Sequence, residues 1–224
     1  MRYRLKEGLY YCIVGQEVIF LDLPENRYFA LPSRGTATFR RLVAQNGEAF
    51  VGAEAALASL INAGYLLEAL DNNHRFGAED FEPPMRDSGG RNRAPFKLWP
   101  LLVAVSSEVV SLLRLRIFPL HSVLARASIR KRNKQNDGYG TDLELDRWVA
   151  AFGRSALILG RTNRCLIRSL AMFSVLRARG FLADLYIGVR SEPFSAHAWV
   201  QYKGTVLNDS CGQIDNYSPI LVVR

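Results

Sequence analysis

The chain has 224 residues, 49% of them hydrophobic and 22% charged, with a net charge of +8. That balance excludes a disordered tail, a collagen and a coiled coil, and the length suffices for one large or two small domains. Three scattered cysteines, Cys12, Cys165 and Cys211, with no C-x-x-C pair, supply neither a disulfide framework nor a cysteine zinc site, so a reduced, cytoplasmic protein without a metal is expected.

The charged segment Met1–Gly8 has no apolar stretch of the signal-peptide kind. Strands are expected over 10–14, 18–23 and 27–31, separated by Gly15 and by the turn Pro24-Glu25-Asn26. Ser33 is placed to cap a helix that carries Ala37, Phe39, Leu42 and Val43 and stops at Asn46-Gly47. A second helix, roughly 53–62, gathers Ala56, Leu57, Leu60 and Ile61 on one face before Gly64. Residues 1–72 thus read as a small winged-helix-like α+β module, a three-stranded sheet plus helices. Pro83-Pro84, Gly89-Gly90 and Pro95 then punctuate a polar stretch, and residues 73–97 are expected to be a linker.

Helical sequence resumes over roughly 98–130, broken near Pro119. Its uncharged run Leu98–Ser107 is ten residues long, too short to cross a bilayer, and Arg114 and Arg116 interrupt the apolar sequence beyond it. The positive charge concentrates here: residues 86–134 hold 11 basic and 2 acidic side chains and end in Arg130-Lys131-Arg132-Asn133-Lys134. Such a run is ordinarily a solvated helix end, and the absence of interleaved aromatics weakens a nucleic-acid reading. A winged-helix regulator that places this stretch on DNA stands as the rival class. Asp137-Gly138-Tyr139-Gly140 marks a loop before a helix at about 142–152. There is no P-loop and no GxGxxG, so the chain lacks a recognisable nucleotide site.

The last sixty residues carry the chemistry. An apolar stripe through Leu166, Ile167, Leu170, Phe173 and Leu176 makes a helix closed by Gly180, with Cys165 in its first turn and Thr162 or Asn163 as cap. A thiol there faces unpaired backbone N–H groups and the positive end of the helix dipole, which favour the nucleophilic thiolate. Strands come next over 184–190, 196–202 and 206–209. Alternation puts His197, Trp199 and Gln201 on one face. A two-residue turn at Lys203-Gly204 turns Asp209 away from His197, whereas a three-residue loop or an equivalent bulge brings them together, and the latter is expected. Cys165 as nucleophile, His197 as proton carrier and Asp209 as its orienting carboxylate is the logic of a cysteine hydrolase. Each residue alone has a plainer reading: a small core cysteine, a hydrogen-bonded histidine, an aspartate that opens a turn.

Cys165-Leu166-Ile167-Arg168-Ser169-Leu170, then Arg179-Gly180, Ile187-Gly188-Val189 and Ala196-His197-Ala198-Trp199-Val200, resembles the maturation proteases of lasso-peptide biosynthesis, the B proteins, over roughly 98–220. The resemblance implies a papain- or transglutaminase-like domain over 98–224, helices packed on an antiparallel sheet, with a Cys165–His197–Asp209 triad and with Asn208 and Trp199 as supporting residues. Residues 1–72, above all Asn26-Arg27-Tyr28-Phe29-Ala30-Leu31, are similar to the leader-recognition element fused to some of these proteins. The leader is then expected to add as a strand along Arg27, Tyr28, Phe29, Ala30 and Leu31 and to pack on Leu57, Leu60 and Ile61. Implied partners are the precursor peptide and an ATP-using macrolactam synthetase, through which cleavage would depend on ATP, with no cofactor of the chain's own. Acyl transfer to an amine is the alternative within the same chemistry.

Overall fold

The computed structural model describes residues 1–69, 76, 81–88, 95–129, 141–160 and 163–224. The basic run 130–134, the loop 137–140 and Thr162 lie outside them. The chain divides into two compact units, Met1–Asp80 and Phe81–Arg224.

In the first unit, β1 (Tyr3–Leu5) precedes the hairpins of β2 (Leu9–Val14), β3 (Glu17–Asp22) and β4 (Arg27–Ala30), then α1 (Ser33–Ala44), α2 (Ala53–Asn62) and β5 (Leu66–Glu68). The sheet order β2-β3-β4 leaves β4 at an edge. Strands β1 and β5 pair with each other, joining the two ends of the unit; three-residue strands carry too little alternation to be read from sequence. Leu57, Leu60 and Phe39 pack with Phe20, Tyr11 and Phe76 in one core, where Phe20 and Phe39 meet edge-on with centroids 5.1 Å apart. Ser33 does not cap α1: Pro32 holds the cap position with φ −55° and no side chain bonds the first-turn amides.

The second unit contains β6 (Arg86–Asp87), α3 (Leu98–Ile117), α4 (Leu120–Ile129), α5 (Asp142–Leu159), α6 (Cys165–Ala178), β7 (Asp184–Arg190), β8 (Ser195–Tyr202), β9 (Thr205–Val206), α7 (Cys211–Ile214) and β10 (Ser218–Val223). Its sheet runs β10-β7-β8-β9-β6. The expected antiparallel arrangement holds for β10, β7, β8 and β9, but β6 joins β9 in parallel. A linker over 73–97 is therefore too broad. Phe76 is buried in the first unit's core, and β6, with Ser88 hydrogen-bonded to the Leu207 carbonyl at 3.0 Å, extends the second unit's sheet.

Helix α3 buries Pro100, Ala104, Glu108 and Ser111, spaced three or four residues apart, and packs on α5 and α6. The continuous helix is 20 residues long, and by length and composition it is apolar enough to cross a membrane. The two arginines near its end do not break the helix. Glu108, fully buried, ties it instead into the protein through the Ser155 hydroxyl, which donates at 2.5 Å.

Candidate active site

Cys165 is the first residue of α6, and Arg164 occupies the cap position without a side-chain bond to the first turn. Asn163 does not take the cap position. With no capping oxygen in place, the Leu166 backbone N–H hydrogen-bonds to Sγ, joined by the Ala198 backbone of the neighbouring strand. His197, near the start of β8, hydrogen-bonds the thiol. Its Nε2 lies 2.6 Å from Asp209 Oδ2, which leaves Nδ1 for the sulfur.

Of the two routes expected to bring Asp209 to His197, a three-residue loop or an equivalent bulge, the chain takes the bulge. Tyr202 pairs with Thr205 and Gln201 with Val206, so the turn has two residues, Lys203 and Gly204, with φ +48° and +67°. Both values are positive, as a type I′ turn demands. Continued, that register would carry Asp209 to the wrong face. The ladder breaks instead. The Val200 N–H, whose hairpin partner would be the Leu207 carbonyl, donates to Asn208 Oδ1 at 2.9 Å, while that carbonyl accepts from Ser88. Asn208 thus substitutes a side-chain acceptor for a backbone one, and the chain turns Asp209 toward His197. The bulge, not the loop, brings the two together.

Electrostatics follow from this geometry. Burial alone would raise the Cys165 thiol, but the hydrogen bond and charge of His197 with the Ala198 and Leu166 backbone bring it below its ordinary value. Burial would lower His197, yet Asp209 and Cys165 raise it to about 9. The two shifts oppose one another as a thiolate–imidazolium pair requires. Burial pushes Cys12 up to about 12, and Cys211 is raised as well, by burial and by Asp87 and Asp215. Cys165, His197 and Asp209 line a cleft of about 410 Å³ with Ser88, Phe152, Arg168 and Asn208.

The profile of the transglutaminase-like superfamily matches residues 107–222, a little over half of the chain. The chain belongs to that superfamily. Among curated proteins it is similar to the microcin J25-processing protein McjB of Escherichia coli, 43% identical over 56 residues, which is 25% of this chain and 27% of that protein. No solved structure matches.

In this transglutaminase-like unit several further residues hold the site in place, of which Glu108 and Tyr217 carry no mark in the sequence that singles them out. Ser169, one helical turn beyond Cys165, donates to the Ala198 carbonyl at 2.8 Å and accepts from Asn208 Nδ2 at 2.8 Å, fastening α6 to β8 and to the bulge. A serine on an otherwise apolar helix face is the one available signal. Glu108 faces Arg164 at 3.7 Å and Arg168 at 3.8 Å, the residues that flank Cys165 in sequence. Tyr217 packs on the His197 ring with centroids 5.0 Å apart. Gly188 sits opposite His197 in β7, where a Cβ would lie 2.8 Å from the Trp199 ring. Trp199 in turn stacks on Tyr186 at 5.5 Å and donates to Gln201 at 2.7 Å.

In the first unit, Arg27, Tyr28, Phe29 and Ala30 form the edge strand β4, and the Arg27 guanidinium donates to the Tyr65 hydroxyl. Leu57 at 0% and Leu60 at 3% exposure are core, and Leu31 is buried too. Leu57 and Leu60, expected with Ile61 to form a peptide-packing face, have their side chains inside the unit's core instead. Ile61 is half-buried and Phe29 stacks on Tyr65 at 4.9 Å.

Proposed function

We propose that the second unit is a cysteine peptidase and that the protein removes the leader from a ribosomally made lasso-peptide precursor. The observation that carries this is a thiol at the start of α6, lowered by a histidine that a carboxylate holds at 2.6 Å, within an open cleft. In the proposed cycle the Cys165 thiolate attacks the carbonyl carbon at the leader–core junction, with the oxyanion on the Cys165 backbone N–H. His197 passes its proton to the departing amine, leaving an acyl thioester. It then takes a proton from water as the thioester hydrolyses, and Asp209 keeps the imidazolium oriented throughout. Similarity to a microcin J25-processing protein supports a peptide-maturation substrate.

In this reading the first unit holds the leader along the outer edge of β4. There backbone pairing supplies affinity, and tethering raises the local concentration of the scissile bond. The freed core amine passes to an ATP-using macrolactam synthetase, and ATP dependence of cleavage enters through that partner.

The test is mass spectrometry after incubation of the full chain with a leader-bearing lasso-peptide precursor, with and without synthetase and ATP. The wild type is expected to release the leader, and Cys165→Ala to leave the precursor intact. Processing by Cys165→Ala at the wild-type rate overturns the reading. Membership of the transglutaminase-like superfamily favours one second reading, in which an amine resolves the thioester; a product that retains an amine adduct identifies it.

A further inference from the structure

The solvent side of α3 is mostly apolar, with the exposed Arg114 and Arg116 in its last turn. Leu98, Trp99, Leu102, Val109, Leu113 and Ile117 recur on one face and are 41–68% exposed, and the helix is about 30 Å long by its rise per residue. Isolated exposed leucines need no explanation, but a continuous stripe marks a contact surface.

Two features say what kind of contact. First, the stripe offers almost no hydrogen-bonding group. Its serine, Ser106, already donates to the Leu102 carbonyl at 2.7 Å, and Ser107 to Ala104 at 2.8 Å. A protein interface of this extent normally brings a hydrogen bond for every 100–200 Å² or so. Second, among the described residues of α3 and α4 and Lys97 before them, the exposed charges are positive. Lys97 precedes α3, exposed Arg114 and Arg116 close it, Arg126 comes next on α4, and the acidic residue within α3, Glu108, is 0% exposed. Beside the C-terminal half lies a cavity of about 260 Å³ lined by Arg114, Arg126, Phe118 and Ser174. An apolar stripe with a tryptophan at one end and guanidinium groups at the other suits a helix lying in a lipid–water interface.

We propose that α3 docks in the plane of an anionic membrane, its stripe among the acyl chains and the Arg114–Arg126 cavity on a lipid phosphate. This goes beyond the peptidase reading and does not depend on it.

The test is co-sedimentation of the full chain with phosphatidylcholine vesicles and with vesicles that also contain phosphatidylglycerol, alongside tryptophan fluorescence. Trp148 and Trp199 are buried, so the exposed Trp99 reports docking. The expected result is a blue shift and pelleting with the anionic vesicles. Partitioning should weaken about five-fold for each of Arg114→Gln and Arg126→Gln, and Leu102→Glu/Leu113→Glu should abolish it while circular dichroism is unchanged. Three results overturn the proposal: no pelleting with anionic vesicles, equal pelleting by Leu102→Glu/Leu113→Glu, or Trp99 buried in a dimer detected by light scattering. Should the double variant unfold, the soluble arginine variants carry the test: pelleting by Arg114→Gln and Arg126→Gln equal to the wild type then overturns the proposal.

Discussion

At the scale of single residues, the site divides its labour among three side chains and the backbone. The thiol is lowered and the imidazole is raised to about 9, so the reactive ion pair exists between those two titrations. Leader removal is expected to show a bell-shaped pH profile whose alkaline limb lies near 9. Asp209→Asn removes the carboxylate that raises His197. Its alkaline limb should move toward the ordinary imidazole value and its rate should fall by about 10²–10⁴. A pH–rate profile of the two proteins checks both effects, and an unmoved limb would mean that Asp209 does not govern His197. Ser169 and Asn208 act differently, since they touch the strand and the bulge rather than the reacting atoms. Ser169→Ala leaves the Ala198 carbonyl and the Asn208 amide short of a partner, and about 1–3 kcal/mol of stability should be lost. The rate should fall while the alkaline limb stays in place; urea denaturation and the pH profile together separate this from the Asp209 effect.

At the scale of elements, three helices converge where the nucleophile sits. Glu108 of α3 is fully buried and accepts from Ser155 of α5, with Arg164 and Arg168 on either side of Cys165. Desolvating a carboxylate makes sense only with its partners present. Glu108→Ala, which removes the buried carboxylate facing Arg164 and Arg168 while their bonds to the Leu159 and Phe152 carbonyls remain, should cost about 3–5 kcal/mol, read as a lower urea midpoint with diminished alkylation of Cys165. Legibility in the sequence divides along the same lines. The helix that starts at Cys165 and the strand that bears His197 are readable because local periodicity and one cysteine mark them. The placement of Asp209 is not, because it depends on a side chain, Asn208, replacing a main-chain acceptor, and no residue period encodes that. Strand β6 is hidden because two residues lack a pattern of their own; their parallel pairing with β9 reaches across more than a hundred residues. Leu57 and Leu60 carry the same letters whether they face a core or a ligand, so only packing could assign them.

At the scale of the whole molecule, the chain comprises two units with separate cores, one that ends in an exposed strand edge and one that holds the cleft. The Leu31 N–H donates inward to Val18 at 2.9 Å, so by strand alternation the Ala30 N–H points outward from β4. Ala30→Pro removes that donor while keeping the inner ladder. If the leader adds to this edge, KM for precursor should rise about five-fold, with iodoacetamide reactivity of Cys165 unchanged. Equal KM in steady-state kinetics would move the leader elsewhere.

The central claim is that Cys165 is held as a thiolate by His197, and pH-dependent alkylation of the three cysteines, resolved by peptide mass spectrometry, addresses it directly. Cys165 should react with a midpoint below the ordinary thiol range, and His197→Ala should return that midpoint upward, while buried Cys12 stays inert across the accessible pH range. A midpoint for Cys165 at or above the ordinary thiol value, or one indifferent to His197→Ala, would contradict the account.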